Sequence, residues 1–284
     1  MLREIVEFVI LTVLIVAVAK YLLYMPAKRI AERLKFSDHG AGQMLGYLTS
    51  APELVAAVAV AATGLMATVA YNILSSNIIN VLLALSAAAW YRQTGRLFTR
   101  RLWREHLIIA ISIIVPILLL VTGQVESAWV IPVFLVAYVV YVLVIRRITA
   151  DGAAPTEHVD AEPPKDAVAV ATEVRTGVKG YVALQGLLIL VALASLYFLG
   201  TALGDTVYEL GTTFGVPEIV LGVVIGVVTS LPEWTTFFSS FAWHRRNGTD
   251  RASEEVTHNL LASNASNLLL VQTIALAVFL LVAT

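Results

Sequence analysis

The chain contains no cysteine. Disulfides, thiolate nucleophiles and sulfur-ligated metal centres are thereby excluded. Charge is scarce too: Asp, Glu, Lys and Arg make up 14% of the 284 residues, where a soluble domain carries roughly 25%. The sequence has no phosphate-cradling glycine loop, no nucleophile elbow and no zinc signature. ATPase and hydrolase chemistry therefore find no support, and no enzymatic role is expected. Nothing calls for a cofactor or for nucleic acid as a partner; the expected partners are a lipid bilayer and small cations.

What the chain has in abundance is apolar residues, at 58% of the total, gathered into runs of 18 or more. Such runs are long enough to cross hydrocarbon as helices. Spans are predicted at 5–24, 41–64, 68–90, 106–123, 128–146, 180–200, 217–242 and 256–283. The expected fold class is an all-α polytopic membrane protein with about eight transmembrane helices, five plus three. The first span lacks a small-residue cleavage site and reads as a retained helix rather than a signal peptide. "AKRIAERLKF" is amphipathic and is expected to lie along the membrane surface. Residues 148–178 are polar, with Pro155, Pro163 and Pro164, and read as a linker. The organisation is then a first repeat over 1–147, the linker, and a second repeat over 179–284.

Basic residues alternate along the chain. Eighteen of the nineteen Lys and Arg fall between helices one and two, three and four, five and six, or seven and eight; Arg3 is the exception. The positive-inside rule makes those loops and the linker cytoplasmic, with both termini outside. The expected location is integral to a membrane, that of a prokaryotic cell.

Two costly motifs recur. "LTSAPELV" at 48–55 matches "VTSLPEWT" at 228–235, and "YNILSSNIIN" at 71–80 matches "HNLLASNASN" at 258–267. The alternation of loops makes the two helices carrying TSxPE antiparallel, as an inverted repeat requires. Glu53 and Glu233 are the acidic residues near mid-span, and no Lys, Arg or His lies at their depth. A charge there costs about 2.5–3.5 kcal/mol by insertion scales. A bound cation or a proton is the simplest counter-charge.

The neighbours suit a cation. Pro52 and Pro232 cannot donate to the carbonyls of Leu48 and Val228, and this disturbs the turn around Thr49 and Thr229. Ser50 and Ser230 add hydroxyl oxygens, as do Ser76 and Ser263; Asn80 and Asn267 add amide oxygens. These are hard ligands that both Ca²⁺ and Na⁺ accept. The bland reading is that Pro, Ser, Thr and Asn serve as kinks and interhelical glue; the duplicated glutamate argues against it.

These motifs resemble the α1 and α2 repeats of the sodium/calcium exchanger family within the Ca²⁺/cation antiporter superfamily. The family pattern is GTSxPE followed by GNxxGSN and a later Asn or Asp. The resemblance implies an inverted-repeat cation antiporter fold and alternating-access exchange of Na⁺ for Ca²⁺. It implies Glu53 and Glu233 as central carboxylate ligands, and Thr49 and Thr229 as backbone ligands to Ca²⁺. Ser50, Ser76, Ser230 and Ser263 would serve flanking Na⁺ sites, with Asn80 and Asn267 lining the centre. The chain departs from the pattern at several points. Leu48 and Val228, Tyr71 and His258, and Ser75 and Ala262 stand where the family has glycine, which is expected to narrow the packing there. Both last positions are Asn. The family has ten helices in two sets of five. Exchange coupled to H⁺ or to another cation on the same fold, or a non-transporting membrane sensor or assembly protein that kept the repeats, are the alternatives.

Overall fold

The computed structural model describes residues 2–33, 38–152, 167–246, 248–249 and 251–283. Among them there is no strand. Seven helices are long and apolar enough to cross a membrane, and Val130–Ile145 adds a shorter apolar one. The eight predicted spans are all present, several of them longer than the sequence suggested.

The chain opens with α1 (Leu2–Val18), a π turn (Ala19–Tyr24) and α2 (Met25–Arg33). The backbone stays helical through both joints, so the basic amphipathic stretch, as far as Arg33, continues the first span instead of turning onto the surface. Pro26 explains the π turn: it offers no amide to the turn before it, and the Met25 amide donates one residue further back, to the Lys20 carbonyl.

Next come α3 (Asp38–Thr49) and α4 (Ala51–Ala62), one span broken at Ser50. The α5 helix (Met66–Trp90) returns across the bundle. A short α6 (Thr94–Leu97) and a 3₁₀ turn lead to α7 (Trp103–Val121) and α8 (Val130–Gly152). The α9 helix runs over Ala167–Phe214. The ends of the expected linker are therefore helical, while residues 153–166 lie outside the described residues. Asp205 and Glu209 are exposed, but on α9 and not in a loop. The helix is prolonged because Leu203, Thr206 and Val207 stay buried, with Gly200 and Gly204 against Val55 and Ala59 of α4.

The second repeat contains α10 (Glu218–Thr229) and α11 (Leu231–Arg246), broken at Ser230. It ends with α12 (Ala252–Ser266), a π turn (Asn267–Val271) and α13 (Gln272–Val282).

The two halves interlock. The α3 helix packs on α12, and α10 packs on α5, so each broken helix begins against the other repeat. Glycines make this possible. A Cβ on Gly222 would fall 2.6 Å from the Thr68 carbonyl oxygen, and one on Gly226 2.7 Å from that of Asn72. On the opposite side, a Cβ on Gly42 would fall 2.6 Å from the Glu255 carbonyl oxygen and one on Gly46 2.7 Å from Ala262 Cβ. Both pairs are spaced i, i+4, the small-residue pattern that lets helix backbones touch in lipid. The expected narrowing at Tyr71, Ser75, His258 and Ala262 is thus absorbed by glycine on the facing helix.

The ends of the elements fix the directions. Glu218 Oε2 accepts from the Thr68 amide at 2.9 Å and from Thr68 Oγ1 at 3.0 Å. The starts of α5 and α10 therefore share one end of the bundle, and α4 finishes there. At the other end, where the loops carry Lys and Arg, His244 Nε2 pairs with Glu255 Oε2 at 2.9 Å and ties α11 to the start of α12. The two broken spans run antiparallel, as the sequence predicted. Glu218 complements the dipole of α5 as well as that of its own helix.

Candidate cation site

The site forms where the two breaks meet. Ser50 (φ −78°, ψ 0°) and Ser230 (φ −80°, ψ −4°) have the same backbone conformation. Each break follows from the proline two residues on, which removes a helical donor. The glutamate after each proline lies in the first turn of a new half-helix, at its positive end.

Glu53 and Glu233 are both fully buried. They come from opposite repeats and lie close enough for their charges to act on one another. The Thr229 hydroxyl faces Glu53, and the Thr49 hydroxyl faces Glu233. Among the described residues no basic side chain pairs with either carboxylate.

A ladder of polar contacts surrounds them. Ser50 Oγ lies 3.1 Å from Ser263 Oγ, which donates to Glu233 Oε1 at 3.1 Å. Asn80 Nδ2 donates to Ser263 Oγ at 3.2 Å and to Asn264 Oδ1 at 3.3 Å. Asn267 Nδ2 donates to Asn77 Oδ1 at 3.2 Å. Asn264 Nδ2 donates to the Asn77 carbonyl at 3.1 Å, while Asn77 Nδ2 reaches the Ser112 carbonyl at 2.9 Å. Ser76 Oγ lies 3.3 Å from the Gly226 carbonyl and 3.4 Å from Thr229 Oγ1.

Among the unmatched atoms here, acceptors outnumber donors. Both oxygens of Glu53, Oε2 of Glu233, Ser230 Oγ, Asn80 Oδ1 and Asn267 Oδ1 are buried without a hydrogen-bond partner. Buried polar atoms are normally satisfied, so an excess of unmatched oxygen is the signature of a place built for something positive. All ten residues singled out from the sequence are buried; the bonds link Ser50, Ser263, Glu233 and Asn80, reach Asn267 through Asn264 and Asn77, and join Ser76 to Thr229, while the side chains of Glu53 and Ser230 make none. Among the described residues no group of three or more His, Asp or Glu side chains could hold a metal; most of the oxygen here is neutral.

The arrangement is not symmetric. Ser263 bonds Glu233, yet its counterpart Ser76 makes no bond to Glu53; Ser50 meets Ser263, yet Ser230 Oγ has no partner. The half of the site around Glu53 holds more free oxygen.

The sequence reading missed three features. The Asn77–Asn264 clasp was visible as a repeat, but its bonds to the main chain were not. His244 is 1% exposed and bonded at both ring nitrogens, to Glu255 and to Thr249. Trp234, next to Glu233 in the chain, is half exposed and stands edge-on to Phe238.

Two antiparallel, interlocked halves around a buried polar centre define an all-α polytopic membrane protein of transporter type. The chain belongs to the sodium/calcium exchanger protein family: the family's model matches two regions, residues 4–146 and 184–282. No curated protein and no solved structure matches the chain. Membership places it among membrane proteins that exchange cations.

Proposed function

We propose that the protein exchanges Na⁺ for Ca²⁺ across the membrane by alternating access to one central site. Glu53 and Glu233 supply two negative charges, which one Ca²⁺ balances. Thr49 and Thr229, Ser50 and Ser230, Ser76 and Ser263, and Asn80 and Asn267 supply neutral oxygens. Ca²⁺ takes six to eight such ligands. Na⁺ takes the same atoms, so the two ions compete, and competition for one site reached from either face is what exchange needs.

A single observation carries this reading: two buried carboxylates within electrostatic range of one another and, among the described residues, without a basic partner. Burying an unpaired charge costs several kcal/mol even after relaxation, on the order of the penalty for each ion of a broken pair. An ion from solution offsets that cost, and a mobile ion is the counter-charge that can leave. By the distribution of Lys and Arg, the linker-bearing face is cytoplasmic and both termini are outside.

The test is ion-swap flux in proteoliposomes. Outward Na⁺ loading should drive Ca²⁺ uptake, and Glu53→Gln should abolish it. Undiminished flux in Glu53→Gln refutes the site. Ca²⁺ uptake driven by an imposed pH gradient in Na⁺-free buffer would instead assign the coupling to H⁺.

A further inference from the structure

Gln272 is the odd residue of the second repeat. It is 1% exposed, and neither its Oε1 nor its Nε2 has a hydrogen-bond partner. The motif offset of 187 residues sets it against Leu85 in the first repeat. An amide with no partner inside a bundle that faces lipid is costly, and the first repeat does without it.

The backbone places this amide deliberately. Gln272 is the first residue after the π turn that begins at Asn267, and its own amide donates to the Asn267 carbonyl. Five residues along an α-helix turn the side chain by about 140° from its starting direction. The extra residue held in the π turn takes back about 100° of that. Gln272 therefore stands within roughly 40° of Asn267, about one turn closer to the end without Lys or Arg in its loops. The matching helix of the first repeat, α5, is α-helical throughout and has no such turn. The α13 helix and the π turn pack against α4, which opens with the site's Glu53 and then presents buried Ala56 and Ala57. Gln272 therefore belongs to the helix packed on the one that carries Glu53.

We propose that Gln272 is a further cation ligand, one step outside the central site on the route to the end of the bundle without basic loops. Its Oε1 takes a partly dehydrated Na⁺ or Ca²⁺, while Nε2 donates to the water the ion retains. The inference rests on the exchange reading above, and it assigns the ion a path on one side of the site only.

Substituting Leu, the residue of the other repeat, removes the amide without opening a void. In right-side-out and inside-out vesicles, Gln272→Leu should raise KM for Ca²⁺ about fivefold at the face without basic loops and leave the other face unchanged. Equilibrium Ca²⁺ binding to the purified variant should stay within about twofold of the parent, and its melting temperature should not fall. Gln272→Glu keeps the oxygen and should hold that KM at or below the parent value. Unchanged KM at both faces, or an equal rise at both, overturns the inference, because a purely structural amide would act on both alike. If the parent protein shows no Na⁺-dependent flux, the exchange reading fails and takes this one with it; if the parent exchanges and Gln272→Leu matches it, only this one fails.

Discussion

Ser263 and Ser230 come from the second repeat's two motifs, yet they sit in different circumstances. Ser263 Oγ bridges Ser50, Asn80 and Glu233, while Ser230 Oγ has no partner. In ion-free buffer, Ser263→Ala should lower stability by about 1 kcal/mol for the lost bond to a carboxylate. Ser230→Ala should leave the melting temperature where it was. Ca²⁺ at one hundred times its Kd should stabilise the parent by about 2.7 kcal/mol, and Glu53→Gln should lose that increment; thermal melts with and without Ca²⁺ read both. At this scale most of the site was legible, because Thr, Ser, Pro and Glu stand out in a hydrocarbon-facing run and recur at matched offsets. Gln272 was not. A lone amide in an apolar stretch reads as interhelical glue, and only the contrast with Leu85 and the unseen π turn set it apart.

Helices show a different balance. All eight spans and both breaks followed from hydropathy and proline, since each rests on a residue type with one dominant effect. The two π turns could not be read, because a π turn is a choice among hydrogen-bond partners with no residue type of its own. Nor could the reach of α9 to Phe214, where packing on α4 overrides the polar Asp205 and Glu209 that suggested a loop. The glycine pairs were in plain view, but their task emerged only from the seating of α3 on α12 and α10 on α5. Gly226→Ala would drive a methyl group into Ser75 and the Asn72 carbonyl. It should cost about 1–3 kcal/mol, the usual penalty of overpacking. Gly95→Ala, with nothing within 4 Å of the added carbon, should be close to silent. Melting curves of the two variants in detergent compare them directly.

For the whole molecule, the alternation of Lys and Arg makes a claim about sidedness that the chain's lack of cysteine renders easy to examine. Thr94→Cys and Glu126→Cys would each introduce the sole thiol, both at exposed positions on opposite ends of the bundle. A membrane-impermeant thiol reagent added to intact cells should label position 126 and spare position 94 until the cells are opened. The reverse pattern would invert the topology.

The exchange of partners between the halves has a consequence for how the molecule is made. When the ribosome has delivered the first five helices, Gly42 and Gly46 have nothing to press against, and α5 exposes the groove meant for α10. Neither half can mature by itself; the nascent first half must wait, loosely held in the bilayer, for the second. Both acids are in place once α11 follows α4, but the serine that holds Glu233 arrives only with α12. A chain cut short before α12 lacks both the surface on which α3 packs and the hydroxyl that bonds Glu233.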